Sequence, residues 1–518
     1  MNTKPLRKYR FSFLKQPSFY FISLFILMNL IFTKQMMPNS GILKYLLVAA
    51  IELFIEIALL LCIRKMRKKA LPLEKQFLLV SIILGLFFII VMPPGQAPDE
   101  GGHFMRAYGI AEGKLIPDVL DPNSNAVGSE IPVETSFILA YGGMTDDRGA
   151  YQGALEDLWL QPSGETTPQP YNTAAVYNFV CYLPQAIGVL IGKIFSTSVL
   201  MMAYLAEIFN FALFVVIIYF AIKLIPKYKT AVFFIALLPI TIQEATSIAP
   251  DALSIALSIF TFSYALHLSS EAVKNIAGKH RIIMFVTAIV LSLCKIVYAP
   301  IVLSYLIIPK EKFGTKQKKW LTVGGVITLA TLINLIWLSF SFGYIVETNR
   351  GVNASQQVLG VLTHPFRYLQ IIARTLNAYS IPWVTEMAGT SIGMTGAGLP
   401  SIYFLISFFF FALISVQKDE DIKISTWQKI ILGTIFIMVF GLILTSLYAQ
   451  WTPLGEEIIE GIQGRYFLPI ILVIPLICSK TIKNKKLKYP TLIAQSTIVN
   501  YTIITGVLTA ISILASNL

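Results

Sequence analysis

Two adjacent carboxylates, Asp99 and Glu100, stand directly behind the proline-rich stretch Pro93-Pro94-Gly95-Gln96-Ala97-Pro98, and His103 and Arg106 follow them. If a helix starts after Pro98, then Asp99, His103 and Arg106 share one face, at spacings of four and three. A carboxylate so placed suits a general base, and charged groups held next to an apolar run are costly unless used or solvated. The plainer use of the acidic pair is to open the helix, where free N–H groups welcome negative charge. The two uses are compatible. Asp251 forms a second candidate, at the end of Ser247-Ile248-Ala249-Pro250-Asp251. Proline then aspartate is an ordinary helix start, so the interest of Asp251 lies in the side it shares with Asp99. The third candidate is Gly461-Ile462-Gln463-Gly464-Arg465-Tyr466. The guanidinium of Arg465 offers a fork to phosphate oxygens, with Gln463 and Tyr466 beside it and two glycines allowing close backbone approach. Its bland alternative is an arginine snorkelling to an interface. Lys295 sits inside the apolar stretch Leu293-Cys294-Lys295-Ile296-Val297, where a buried cation needs a partner. Gln243 and Glu244 are lesser candidates for the same cavity, and His267, His280 and His364 are ordinary residues near loop ends.

The elements that hold these residues are membrane spans. The chain has 518 residues, is 55% hydrophobic and 13% charged, and has a mean hydropathy of +0.69. A soluble chain of this length needs far more charge on its surface. The net charge of +13 lies in short basic clusters between apolar runs, the positive-inside pattern, which excludes a nucleic-acid-binding stripe. Cys62, Cys181, Cys294 and Cys478 have no metal-ligand spacing and suggest no disulfide framework. No Walker-type loop or dinucleotide fingerprint is present.

Apolar runs at 19–33, 41–63, 76–92, 199–222, 230–248, 252–268, 282–295, 296–308, 320–342, 400–416, 427–449, 466–478 and 491–514 predict an all-α polytopic membrane protein with about 13 transmembrane helices. The basic N-terminus runs into the first of them without a small-residue cleavage site, so it reads as an uncleaved span. The basic N-terminus and the clusters at 64–69, 310–319 and 480–488 should be cytoplasmic, which puts the acidic loop 93–172 and the loop 343–399 outside. The run 174–195 is apolar enough to span. Laying it at the outer surface, or making it re-entrant, instead keeps Lys223, Lys227, Lys229, Lys274, Lys279 and Arg281 inside. Three regions follow: a two-helix hairpin at 1–75, a core at 76–479, and a basic loop with a last helix at 480–518.

Taken together, Pro98-Asp99-Glu100 with His103, Arg106, Ala107 and Tyr108, Ser247 with Pro250-Asp251-Ala252, and Gln463-Gly464-Arg465-Tyr466 with Pro469 resemble the bacterial domain of unknown function 2142 family of multispanning membrane proteins. The resemblance covers roughly 76–479, with Gly101-Gly102 where the family usually continues with proline. The layout is also similar to the GT-C glycosyltransferases, which use polyprenyl-phosphate-linked sugars and carry an acidic residue in the first large outer loop, beside surface helices. This resemblance implies a glycosyltransferase of the bacterial plasma membrane, acting on its outer side in cell-envelope assembly. Asp99 or Glu100 would be the general base, Asp251 would orient the acceptor, and Arg465 would face the lipid phosphate with help from Lys295 or Arg106. Its acceptor would be a glycan, a protein or a lipid. The carboxylates of Asp99, Glu100 and Asp251 also suit a magnesium or manganese ion. Other functions open to the same residues are a transporter or flippase for a lipid-linked glycan, and a non-catalytic partner in a glycan assembly complex.

Overall fold

A computed structural model describes residues 69–122, 125–135, 150–344, 351–416, 424–478 and 494–517, with scattered positions between 34 and 61. The expected span 19–33 and the basic cluster 480–488 lie outside the described residues, as do most of the cluster 64–69 and part of the span 41–63. The described chain is mostly helical, as expected of a multi-pass membrane protein. Among the described residues six helices are long and apolar enough to cross a bilayer. Of the other expected runs, two lie wholly or partly outside the described residues, 230–248 and 466–478 are interrupted at prolines, and the rest form shorter helices.

Helix α1, Leu73–Val91, ends at the Met92-Pro93-Pro94 stretch, where proline withholds the N–H needed to continue. Helix α2, Glu100–Ala111, follows as a short, almost wholly buried helix. The next segment corrects the all-α expectation. Strands β1, Asp118–Asp121, β2, Ala126–Pro132, and β3, Thr166–Pro170, form a small antiparallel sheet in the order β1-β2-β3. Gly128 lies opposite both Asp118 and Pro170.

Helix α3, Leu183–Ile194, is the main helical piece of the 174–195 run. It has 12 residues, about 18 Å of helix, against the roughly 30 Å of a hydrocarbon core. Leu183, Ile187, Leu190 and Ile194 form one exposed apolar stripe, while Gln185, Ala186, Gly188 and Val189 pack inward on helix α4, Val199–Leu224. That is the pattern of a helix lying along an interface.

The run 230–248 divides into α5, Lys229–Ala236, and α6, Pro239–Ala245, with Pro239 at the start of the second piece. Helix α7, Asp251–Ser269, is the most deeply buried span. Helix α8, Gly278–Cys294, stops at Lys295, which is extended (φ −143°, ψ 122°), and the chain continues as a 3-10 segment, Ile296–Ile307, with Pro300 inside it. Helix α9, Lys316–Ser341, and helix α13, Thr426–Gln450, are the spans least covered by the rest of the chain; α10, Ala354–Thr363, α11, Pro365–Met387, and α12, Ser401–Val416, lie between them in sequence. The run 466–478 is split into short turns around Pro469 and Pro475 before the last span, α14, Gln495–Asn517. The breaks matter for function, because a break is where a backbone can carry polar side chains into an apolar bundle.

Candidate functional site

Asp99 is the residue before α2 and takes a left-handed backbone (φ 62°, ψ 8°), a conformation that aspartate tolerates better than most residues. Its side chain makes no capping hydrogen bond and is 66% exposed, so its carboxylate faces outward from the helix start. Glu100 does the opposite. It is fully buried and accepts from the backbone N–H groups of Gly95 (2.7 Å), Ala97 (3.1 Å) and Ile248 (2.9 Å), with the Glu207 carboxyl against it. Glu100 therefore ties the loop after α1 to the turn before α7. Burial pushes it up to about 7, against the pull of those three N–H groups.

One turn along α2, the His103 Nδ1 lies 2.8 Å from the Tyr182 hydroxyl, and Tyr177 and Tyr182 flank its ring. Burial holds His103 down at about 4, although Asp99 and Asp251 draw it the other way. It is a neutral hydrogen-bonding group among charges.

Two buried ion pairs complete the cluster. The Lys295 ammonium donates to Asp251 Oδ1 at 2.6 Å. Arg465 donates through Nη1 to the Glu244 carboxylate at 3.1 and 3.3 Å, and its Nη2 stands 3.7 Å from Asp99 Oδ2. The Arg465 Nε has no hydrogen-bond partner, so the fork keeps donor capacity on the side of Asp99. The Tyr466 ring lies 5.4 Å from both the Lys295 Nζ and the Arg465 Cζ, and Lys295 is also 5.2 Å from the Tyr177 ring. Cations over aromatic faces are stabilised by the ring quadrupole.

The turn that carries Arg465 is built with small tolerances. Glu386 accepts from the Gly464 N–H at 2.7 Å, and the Tyr298 hydroxyl donates to the Tyr466 carbonyl at 3.0 Å. A Cβ on Gly464 would stand 2.2 Å from the Trp383 carbonyl oxygen, so only glycine fits there. Gln243 donates to Glu244 at 3.1 Å and accepts from the Gly393 N–H, linking the acid partner of Arg465 to the loop after α11.

Two cavities meet at this cluster. One, of 410 Å³, includes Asp99, Gln463, Thr173 and Trp451 in its lining. The other, of 170 Å³, lies between α9 and α13, with Trp337, Leu338 and Ile443 on its walls and Lys295 in its lining. Leu447 and Tyr466 line both.

The structure therefore brings together Asp99, His103, Asp251, Lys295, Gln463, Arg465 and Tyr466. Arg106 does not join them: its guanidinium donates to the Lys114 and Leu115 carbonyls at 3.1 and 2.7 Å, fastening the turn after α2, with Tyr171 beneath it. The helical spacing gave its face correctly but not what lies opposite. The proposed carboxylate metal set does not assemble either. Glu100 faces backbone N–H groups, Asp251 faces Lys295, and Asp99 faces Arg465, so each has a different partner; among the described residues no three metal-ligating side chains converge. Glu207 and Glu386 were missed. Glu207 carried a readable signal, a carboxyl inside an apolar span. Glu386, at the end of a half-exposed amphipathic helix, carried none.

Broken helices with charged residues gathered at one end of a bundle define a polytopic membrane protein with a polar site at the membrane boundary. The chain belongs to the family of predicted membrane proteins designated domain of unknown function 2142 (DUF2142), which it matches over residues 82–474. No curated protein and no solved structure matches it.

Proposed function

We propose that this protein is a membrane glycosyltransferase that moves a sugar from a polyprenyl-phosphate donor to an acceptor on the outer side of the membrane, in cell-envelope assembly. The observation that carries the reading is that two cavities share one aromatic ring, Tyr466: one lies between α9 and α13, the other holds the exposed Asp99 carboxylate, and two cations stand beside the ring. A donor that is half lipid and half sugar needs two such adjoining spaces. Its chain would lie in the cleft between α9 and α13, its phosphate near Lys295 and Arg465, and its sugar in the larger cavity.

In this reading the acceptor hydroxyl attacks the anomeric carbon, the new C–O bond forms as the bond to the phosphate oxygen breaks, and the proton passes to Asp99. The leaving polyprenyl phosphate takes the bonding pair, and the donors of Arg465 stabilise the developing charge. A single displacement of this kind inverts the anomeric centre. Asp251 fixes Lys295, and His103, neutral and bonded to Tyr182, supplies a hydrogen-bonding wall.

The test is sugar transfer. Membranes holding wild-type or Asp99→Asn protein at equal expression receive radiolabelled polyprenyl-phosphate sugars and crude envelope acceptors. Transfer by the wild type, lost by at least 100-fold in the variant, is the expected result. No transfer with any donor, together with full complementation of a deletion strain by the variant, would sink the reading. Movement of a lipid-linked glycan is the second reading, favoured by the helix break at Lys295, since transporters place ion and substrate sites at such breaks.

A further inference from the structure

Trp451 follows directly on the end of α13 and is 38% exposed. A tryptophan at the end of a span commonly anchors in the interface. This one instead lines the 410 Å³ cavity that holds the Asp99 carboxylate. Gly461, with φ +75°, presses against its indole: a Cβ there would stand 2.3 Å from the Trp451 Cδ1. The backbone of the Arg465 turn thus props the ring in the cavity. Around the same space stand the Gln463 amide, the Thr173 hydroxyl and the exposed carboxylate of Asp99.

A propped aromatic ring with a carboxylate, an amide and a hydroxyl near it is the chemistry that a pyranose fits. One face of a sugar ring presents C–H groups that pack on an aromatic surface, while its edge presents hydroxyls that need donors and acceptors. The alternatives fit less well. The cavity is lined by turns and helix ends and by no strand edge, so it gives an extended peptide no ladder to join. An acidic acceptor would meet the exposed Asp99 carboxylate.

We infer that Trp451 is the platform of an acceptor subsite, and that the acceptor is a neutral glycan whose terminal sugar stacks on the indole beside Asp99. The inference rests on the transferase reading for the word acceptor, but the binding itself is measurable without any transfer. The full chain in detergent is titrated with maltotetraose, cellotetraose and chitotetraose, and saturation-transfer NMR reads contact to the sugar C–H protons. The expected result is contact with at least one tetrasaccharide, weakened at least tenfold in Trp451→Ala and only partly in Trp451→Phe. No contact with any of the three, or equal contact in Trp451→Ala folded as well as wild type, overturns the subsite. Should Trp451→Ala fail to fold, unchanged contact in Trp451→Phe and Trp451→Leu overturns it equally. Contact that depends on Trp451 without any sugar transfer would remove the transferase reading and leave a glycan-binding site. Transfer that ignores the Trp451 variants would do the reverse.

Discussion

At the scale of single residues, the two buried ion pairs are costly to break one side at a time. Removing one partner leaves an uncompensated charge in a dry setting, a loss of about 3–5 kcal/mol, whereas replacing both with apolar groups often restores stability. Asp251→Asn should therefore lower the melting temperature in detergent, and Asp251→Asn with Lys295→Met should recover most of it. If the double variant melts like wild type but transfers no sugar, Lys295 acts on substrate; full activity in the double variant would make the pair a structural bolt. Glu100 and His103 set up a different experiment. Glu100 is raised from 4.5 to about 7, so between these values the folded chain holds the extra proton and stability falls as pH rises. His103 is lowered from 6.5 to about 4, so between these the unfolded chain holds the extra proton and stability rises with pH. From pH 4.5 to 6.5 the two slopes oppose. Glu100→Gln should then melt higher with rising pH, and His103→Gln lower, relative to a flatter wild type; parallel profiles in thermal melts would refute the assignment. Chemistry at this scale was partly legible in the sequence. Asp99, Asp251, Lys295 and Arg465 stood out because charge in an apolar setting is expensive, and they do cluster. Arg106 stood out by the same argument and proved to fasten a turn, because periodicity names a face and not its neighbours.

At the scale of elements, the turn that bears Arg465 tolerates no side chain at Gly464. Gly464→Ala should cost about 1–3 kcal/mol, as overpacking does, and shift Arg465 away from Asp99. The check is a melt together with the transfer assay, and a variant with wild-type stability and rate would contradict it. Hydropathy marked most of the apolar runs within the described residues but not all of their interruptions. The apolar content of 230–248 is continuous, so Pro239 looked compatible with a single span, yet the chain stops at Leu237 and restarts at Pro239. At Lys295, by contrast, the runs 282–295 and 296–308 already parted where an extended residue separates two helical pieces. The small sheet was hidden for another reason. Its strands are short, and β1 has a register shift between Val119 and Asp121, so no long alternation announces it.

At the scale of the whole molecule, the arrangement of charge predicts sidedness. Single cysteines placed at Asp118 or Thr166, in a background without the native cysteines, should react with an impermeant maleimide on intact cells. One at Lys316 should react only after the membrane is opened. Labelling in the reverse sense would invert the topology and take the active face to the cytoplasm. Tyr466 and Leu447 have a consequence at this scale too, because one partition belongs to both the cleft and the cavity. A reaction across such a partition answers to two kinds of concentration. In the proposed transfer the donor would count as a mole fraction in the bilayer plane and the acceptor as molarity in the water above it. Diluting the donor with inert phospholipid at fixed bulk amount should slow turnover, while the half-saturating acceptor level stays where it was.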